Sequence, residues 1–319
     1  MVGTDVHHAA ALLRAGNVVG IPTETVYGLA ANALDAKAVA RVFAIKGRPS
    51  FDPLIIHIGQ LSQAVELTQP LLPEVFYRLS ELFWPGPLTL VVKKSDKVPD
   101  IVTAGLDTVG LRMPNHPMTL ELLQYSNLPL AAPSANPFGY ISPVTAQHVE
   151  QQLGTQIPYV LDGGRCEVGI ESTIVDCTSR PVRILRKGGI SIEQISQVIG
   201  YMPDVQTQSS DNPRAPGMLT SHYAPRKKLI LTDNTKLFNQ FAGRADVAFL
   251  LYNNPMDDHP IQRILTTLDS DLEAAANLFY YLREFDEMPH VTLIIAEKAP
   301  DSGLGMAIND RLSRAAANP

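Results

Sequence analysis

Cysteine is scarce in this chain. Its 319 residues include two, Cys166 and Cys177. Two cysteines build no disulfide framework, and these form neither a CxxC pair nor a His/Cys cluster of zinc-like spacing. The expectation is a reduced, cytoplasmic protein. Positive charge is not in excess either: 26 Lys and Arg stand against 32 Asp and Glu, a formal net charge of −6. Attraction to nucleic acid by bulk charge is thereby disfavoured, so any anionic ligand must be held by local convergence of cations. No apolar run approaches the length of a membrane span. The opening stretch MVGTDVHHAAALLRAG reads as a short amphipathic helix, without the basic start and long apolar run of a signal peptide. No Ser/His/Asp or Cys/His triad is visible, and no repeat of fixed period.

What is present is a 45% apolar chain, long enough for two domains of ordinary size. Helix and strand patterns alternate over residues 1–200. Asp5 reads as a helix N-cap and Gly16 as a stop. NVVGIPT (17–23), PLIIHI (53–58), LTLVV (88–92), TVGLRM (108–113) and PLAA (129–132) read as strands. So do YVLDGG, STIVDCT and VRILRKGG. Helical spacing marks 33–46, 74–83, 118–126, 144–154 and 191–200. Residues 201–226 lose the periodicity and gather Pro, Ser, Asn and Asp, as a linker does. From 227 to 319 a second alternation begins, with strands at KLILTD, VAFLLYN and VTLIIA between helices. It predicts a small parallel, Rossmann-like three-layer domain. The whole is an α/β protein. Residues 1–200 hold 15 basic and 17 acidic residues and 227–319 hold 9 and 13, so the acidic excess is larger in the tail.

Several segments could carry chemistry. In GIPTETVYGLAAN (20–32) a strand runs into a crowded polar turn with Thr23, Glu24, Thr25 and Tyr27. Read alone this is a polar strand-to-helix connection; it also sits where open α/β sheets bind ligands. AIKGRPS (44–50) puts Lys46 and Arg48 two residues apart at a helix end. They are either ordinary C-terminal charges favoured by the helix dipole, at ~0.3–1 kcal/mol, or phosphate ligands. Gly47, breaking the helix between them, and Pro49, fixing the chain beyond, weaken the first reading. A point charge beside a planar fork suits phosphate oxygens. Arg112 ends an apolar strand in TVGLRMP. Ser134, Asn136 and Ser142 lie in AAPSANPFGYISP, Glu171, Ser172 and Thr173 in GIESTIVD, and Arg183, Arg186 and Lys187 in VRILRKGG. Singly each is more simply structural; together they bring cations and hydroxyls to strand ends of one sheet.

Taken in order, PTETVYGLAAN, the KxR motif at Lys46–Arg48, the SxN motif at Ser134–Asn136 and ESTIVD resemble the YrdC-type domain. The linker ending PGMLTSHYAP and the tail GLGMAINDRLSRAA resemble the longer, two-domain members, the threonylcarbamoyl-AMP synthases, over essentially the whole chain. The resemblance implies a YrdC-like twisted open sheet with a central cavity over 1–200, a linker acting as a lid over 201–226, and a small α/β domain over 227–319. It implies a nucleotidyltransferase that makes threonylcarbamoyl-AMP and pyrophosphate from L-threonine, bicarbonate or CO2 and ATP with Mg²⁺, for tRNA modification. Downstream proteins that transfer the threonylcarbamoyl group, and possible tRNA contact, come with it. Thr25, His57, Arg112, Ala132 and Ser172 are expected around threonine. Lys46, Arg48, Asp52, Thr108, Ser134, Ser142 and Arg186 are expected around ATP, with Asn136 on the same wall and Tyr223 reaching over the nucleotide. Lys46, Arg48, Ser134 and Asn136 are the expected catalytic set. Asp52 stands where some relatives have Asn, and a carboxylate there repels phosphate unless it acts through Mg²⁺ or the ribose.

Three alternatives differ in kind. An RNA-binding module without activity sits badly with the net charge. Carbamoyl transfer of the hydrogenase-maturation type comes with Cys-rich zinc-finger and acylphosphatase-like regions, which are missing here. A nucleotide-binding regulator centred on the tail lacks support, since the tail carries neither GxGxxG nor GxxxxGK[ST].

Overall fold

The computed structural model describes residues 1–206, 215–217, 222–257 and 259–317. Among them are two sheets, one of eleven strands and one of four. The large sheet runs from Val2–Gly3 at one edge through Tyr159–Leu161, Val19–Ile21, Gly28–Asn32, Leu130–Ala131, Ile55–His57, Thr108–Arg112, Leu88–Lys93, Thr173–Asp176 and Arg183–Arg186. Asp204–Val205 forms the other edge. Its pairings mix directions. Ile55–His57 lies parallel to Thr108–Arg112 and antiparallel to Leu130–Ala131, which sets His57 directly opposite both Arg112 and Leu130. Several of these strands are buried on both faces, as Leu88–Val92 is, so their sequences are continuous apolar runs rather than alternations.

Local chemistry places the elements that matter for the site. Asp5 caps the first helix, Val6–Arg14, by accepting from the His8 amide. Asp35 accepts from the amides of Lys37 and Ala38 and so starts the helix Ala36–Lys46. That helix stops at Gly47, whose φ of 60° is a left-handed conformation that glycine adopts without a Cβ penalty. The stop turns Arg48 out of the helix and towards the sheet.

Two expectations change on contact with the structure. The PTETVY turn is not a strand-to-helix connection: Gly28–Asn32 is a strand, antiparallel to Val19–Ile21, with Ile21 opposite Gly28. Small apolar residues buried on both faces give GLAAN no alternating signature. Asp204–Val205, inside the stretch read as linker, adds an edge strand parallel to Arg183–Arg186. The short helices Leu61–Leu67 and Asp100–Thr103 and the strand Gln262–Ile264 also lack a strong periodic signal.

The four strands of the small sheet are all parallel, in the order Lys228–Thr232, Leu293–Glu297, Val247–Leu251, Gln262–Ile264. Along Val247–Leu251 the side chains divide by parity. Val247, Phe249 and Leu251 pack with Phe238 of helix Thr235–Phe241. Ala248 and Leu250 join the cluster that holds Leu278 and Phe279 of helix Asp271–Glu287 and Ile308 and Leu312 of helix Gly305–Ala316. Helices on both faces make the expected three layers. The same cluster continues into the large domain through Val42, Ile141 and Val144, so one core runs across both units.

Polar contacts reinforce that junction. Arg283 is fully buried and donates to the Ser142 carbonyl at 3.1 Å, to the Ile141 carbonyl and to Gln152 Oε1 at 3.0 Å. Asp286 accepts from the Tyr140 hydroxyl at 2.6 Å and from Arg226 Nε at 2.9 Å. Gly169, at φ 72°, lets the long helix approach: a Cβ there would lie 2.4 Å from the Ala276 Cα. Gly169→Ala must therefore push backbone against backbone and strain φ as well. We expect a loss of about 1–3 kcal/mol, read as a lower midpoint in thermal unfolding; an unchanged midpoint would contradict this account of the junction.

Candidate active site

The hairpin turn, the strands Ile55–His57 and Thr108–Arg112, the segment Ala132–Ser134, Glu171 and Ser172 just before the strand Thr173–Asp176, and Arg186 surround one cavity, with about 560 Å³ of unfilled space including its mouth. Pro216, Gly217, His222 and Tyr223 of the linker close it from the other side. Of the residues expected from the sequence, Thr25, Arg48, His57, Arg112, Ala132, Ser134, Ser172, Arg186 and Tyr223 line this space.

Four others lie buried in the surrounding wall. Lys46 Nζ donates to the carbonyls of Ser134 and Asn136, at 2.5 Å each, and so fixes the SxN turn. Asn136 Nδ2 donates to the carbonyls of Pro137 and Tyr140. Ser142 Oγ donates to Glu171 Oε1 at 2.6 Å. Asp52 pairs with Arg48 Nη2 at 2.9 Å, so its carboxylate sets the guanidinium instead of facing the cavity. Thr108 borders a neighbouring apolar depression that shares Ile55 and Pro216 with the cavity wall. Met218, in the PGMLTSHYAP stretch of the linker, lies outside the described residues.

The cations are held by short-range partners. Arg48 Nε donates to the Asp52 carbonyl at 3.1 Å and Nη2 to the Pro53 carbonyl at 2.9 Å. Arg112 Nη2 stands 2.7 Å from Glu24 Oε2, and both side chains are buried. Arg186 donates to the Ser172 carbonyl and hydroxyl at 3.0 and 3.1 Å and to the Pro216 carbonyl at 3.2 Å. The Ser172 hydroxyl is in turn hydrogen-bonded to that of Thr89 at 2.8 Å, and Thr25 to Thr23 at the same distance.

Electrostatics follow from burial. Desolvation, with Arg48 nearby, holds the Lys46 ammonium well below its usual range. Burial, helped by Arg112, lowers His57 to about 3, and its Nδ1 has no hydrogen-bond partner among the described residues. At neutral pH His57 is therefore a neutral imidazole with ring nitrogen to offer. His222 is likewise pushed far down, by burial first and by Arg48 and Lys46 next.

Sequence reasoning undervalued three participants. Glu24 was visible in the hairpin turn, but nothing local says that it meets Arg112. Glu171 lines the cavity, and its partner Arg311 comes from the last helix, 140 residues on. His222 was legible only through its place beside Tyr223. Desolvated guanidinium groups facing hydroxyls inside a closed cavity define a site for a small anionic ligand with polar groups, not a groove for a macromolecule.

Comparison with known proteins agrees. A family model described as "Telomere recombination", Sua5_yciO_yrdC, matches residues 11–188, and one described as "Threonylcarbamoyl-AMP synthase, C-terminal domain" matches 190–317. The threonylcarbamoyl-AMP synthase of Pyrococcus abyssi is 41% identical over 96% of this chain and 92% of its own length. That of Bacillus subtilis is 43% identical over 97% and 92%. The crystal structure of P. abyssi Sua5 complexed with L-threonine superposes with a TM-score of 0.91, covering 98% of this chain and 94% of that one. The chain belongs to the Sua5/YciO/YrdC family, in its two-domain form with the threonylcarbamoyl-AMP synthase C-terminal domain.

The buried imidazoles give a pH signature. His57 and His148 are both lowered to about 3, chiefly by burial, and His222 is lowered well below 6.5. Unfolding restores their ordinary affinity for protons, so the unfolded chain binds more protons below pH ~6.5 and acid favours it. The stability these groups contribute is present above about pH 6.5 and falls as pH drops towards 3. Asp52, raised by burial, acts oppositely, in the window between the ordinary carboxylate value and its raised one. Urea unfolding at pH 7 and pH 5 should show lower stability at pH 5; equal values would contradict the buried neutral state.

Proposed function

We propose that this protein is an L-threonylcarbamoyladenylate synthase, joining L-threonine, bicarbonate or CO2 and Mg²⁺–ATP into threonylcarbamoyl-AMP with release of pyrophosphate. The observation that carries the reading is the convergence of Arg48, Arg112 and Arg186 with Thr25, His57 and Ser172 on one enclosed cavity. Similarity to threonylcarbamoyl-AMP synthases over nearly the full length supports it.

Two bonds are made. The neutral threonine amine attacks the carbon of CO2, losing a proton, and becomes an N-carboxylate. An oxygen of that carboxylate attacks the α-phosphorus of ATP, and the bond to pyrophosphate breaks. Arg112 is assigned to the threonine carboxylate; its fork suits a bidentate pair, and Glu24 fixes its orientation from behind. His57, kept neutral, accepts from the amine without adding a positive charge that would disfavour the nucleophile. Arg48 and Arg186 are assigned to the phosphates, where negative charge gathers as pyrophosphate departs. Lys46, expected at the phosphates as well, acts first on the wall by holding the Ser134–Asn136 turn. No nucleophilic side chain is required, and placing both substrates in one cavity supplies much of the rate.

Among the described residues no group of three His, Cys, Asp or Glu side chains could cage a metal ion. That fits a Mg²⁺ that enters on the triphosphate, as is usual for this ion. The linker residues Pro216, Gly217, His222 and Tyr223 act as the lid, excluding water from a hydrolysis-prone adenylate. We assign the product to transfer proteins acting on tRNA in the cytoplasm. Among the described residues no helix is long and apolar enough to cross a membrane.

Mixing the protein with threonine, bicarbonate and Mg²⁺–ATP should release pyrophosphate only when all are present; no release would overturn the reading. Arg48→Ala should lower the rate by at least the ~1.5–3 kcal/mol of one charge-assisted contact. Activity within about twofold of wild type at saturating ATP would remove Arg48 from the phosphates. Arg112→Lys should weaken threonine binding much more than ATP binding in calorimetry, and equal losses would reassign that residue.

A further inference from the structure

We propose that Arg311, on the last helix of the C-terminal domain, is a positioning residue of the cavity: it neutralises Glu171 from behind, so that Arg186 keeps its charge for phosphate. The inference rests on the reading that this cavity takes ATP.

Arg311 is fully buried. Its Nε donates to Glu171 Oε2 at 2.8 Å, its Nη2 to the Lys187 carbonyl at 2.9 Å, and its Nη1 pairs with Asp310 at 2.7 Å. The guanidinium carbon also lies 5.0 Å from the centroid of the Tyr223 ring. Tyr223 is a non-glycine residue at φ 64°, buried, and it lines the cavity. One side chain of the tail thus meets both the acidic wall residue and the aromatic residue of the linker.

Glu171 is the acidic side chain lining the cavity. Its other oxygen, Oε1, accepts from Ser142. Burial alone would raise its pKa, but the Arg311 and Arg186 charges and the Ser142 bond hold it below the ordinary value, so it stays ionised. An ionised carboxylate in this space has two effects that oppose ATP binding. It repels a polyphosphate, and it draws the neighbouring guanidinium groups onto itself. In the structure Arg186 donates instead to neutral oxygens, those of Ser172 and Pro216. Its charge is therefore available to a ligand. Arg311 satisfies Glu171 and makes that arrangement possible.

A plain staple between domains would explain the burial but predicts different behaviour. Removing the staple lowers stability whatever stands at 171. Removing a neutralising cation lowers phosphate affinity and is corrected by removing the charge it neutralised.

Calorimetric titration of the full-length protein with Mg²⁺–ATP, and separately with L-threonine, separates these. Arg311→Met should bind Mg²⁺–ATP at least about tenfold more weakly while threonine affinity changes less than about threefold. Adding Glu171→Gln, which keeps the acceptor for Ser142, should return ATP affinity to within about threefold of wild type. Wild-type affinity in Arg311→Met, or a double variant as weak as the single one, overturns the proposal and leaves a staple. If Arg311→Met does not fold, Arg311→Lys carries the test. A point charge still neutralises Glu171, so ATP affinity should stay within about threefold of wild type despite a lower melting midpoint, and a loss of about tenfold overturns neutralisation. Wild-type protein that binds no Mg²⁺–ATP overturns the cavity assignment itself, whereas failed rescue alone overturns the role of Arg311 only.

Discussion

Burying guanidinium groups is the constraint on which this structure depends. Arg48, Arg112, Arg186, Arg283 and Arg311 all lie inside, and desolvating each costs several kcal/mol unless its donors are met. Arg48 is met locally by Asp52, four residues on, while the others are met by more distant segments: Glu24 for Arg112, Ser172 and Pro216 for Arg186, the Ile141–Ser142 backbone for Arg283, Glu171 for Arg311. The Arg186, Arg283 and Arg311 pairings form only when the large sheet meets the linker or the tail in this arrangement. The cations that ready the cavity for an anion therefore also specify the fold around it.

Cavity and tail are one construction for the same reason. The apolar core is continuous across both units, and the last helix supplies the side chain that faces Glu171. Linker residues stand between, with Tyr223 flanked by His222 at a ring distance of 4.2 Å, by Phe279 at 5.5 Å and by Arg311. The described linker residue Tyr223 thus stands between the cavity that it lines and the domain behind it. For the lid proposed above, being held on both sides would mean closing with little loss of conformational entropy.

Much of this was legible in the sequence, because it is encoded locally. The helix stop at Gly47, the cap at Asp5, the apolar strand ending at Arg112 and the layered tail follow from spacing and turn chemistry. The Tyr223 position was legible through the HYAP segment of the linker, with His222 beside it. What was not legible depends on distant contact. Nothing within AIKGRPS says that Lys46 will be engaged by two carbonyls of the SxN turn, 88 and 90 residues away, while Arg48 faces the cavity. The strand Gly28–Asn32 was missed because small residues buried on both faces carry no period. Asp52 looked like a misplaced phosphate ligand until its pairing with Arg48 showed a carboxylate orienting a cation. Arg311 lies mid-helix, and nothing near it in the sequence says that it will meet Glu171, 140 residues away.

The central claim is that one cavity receives both substrates, with the phosphates on Arg48 and Arg186 and the amino acid on Arg112. A crystal structure of the protein with L-threonine and a non-hydrolysable Mg²⁺–ATP analogue tests it most directly. The account predicts the threonine carboxylate against the Arg112 fork, the triphosphate against Arg48 and Arg186, the amine facing His57, and Tyr223 still closed over the pair. A nucleotide bound outside this cavity, for instance at the carboxyl ends of the four parallel strands of the tail, would contradict it.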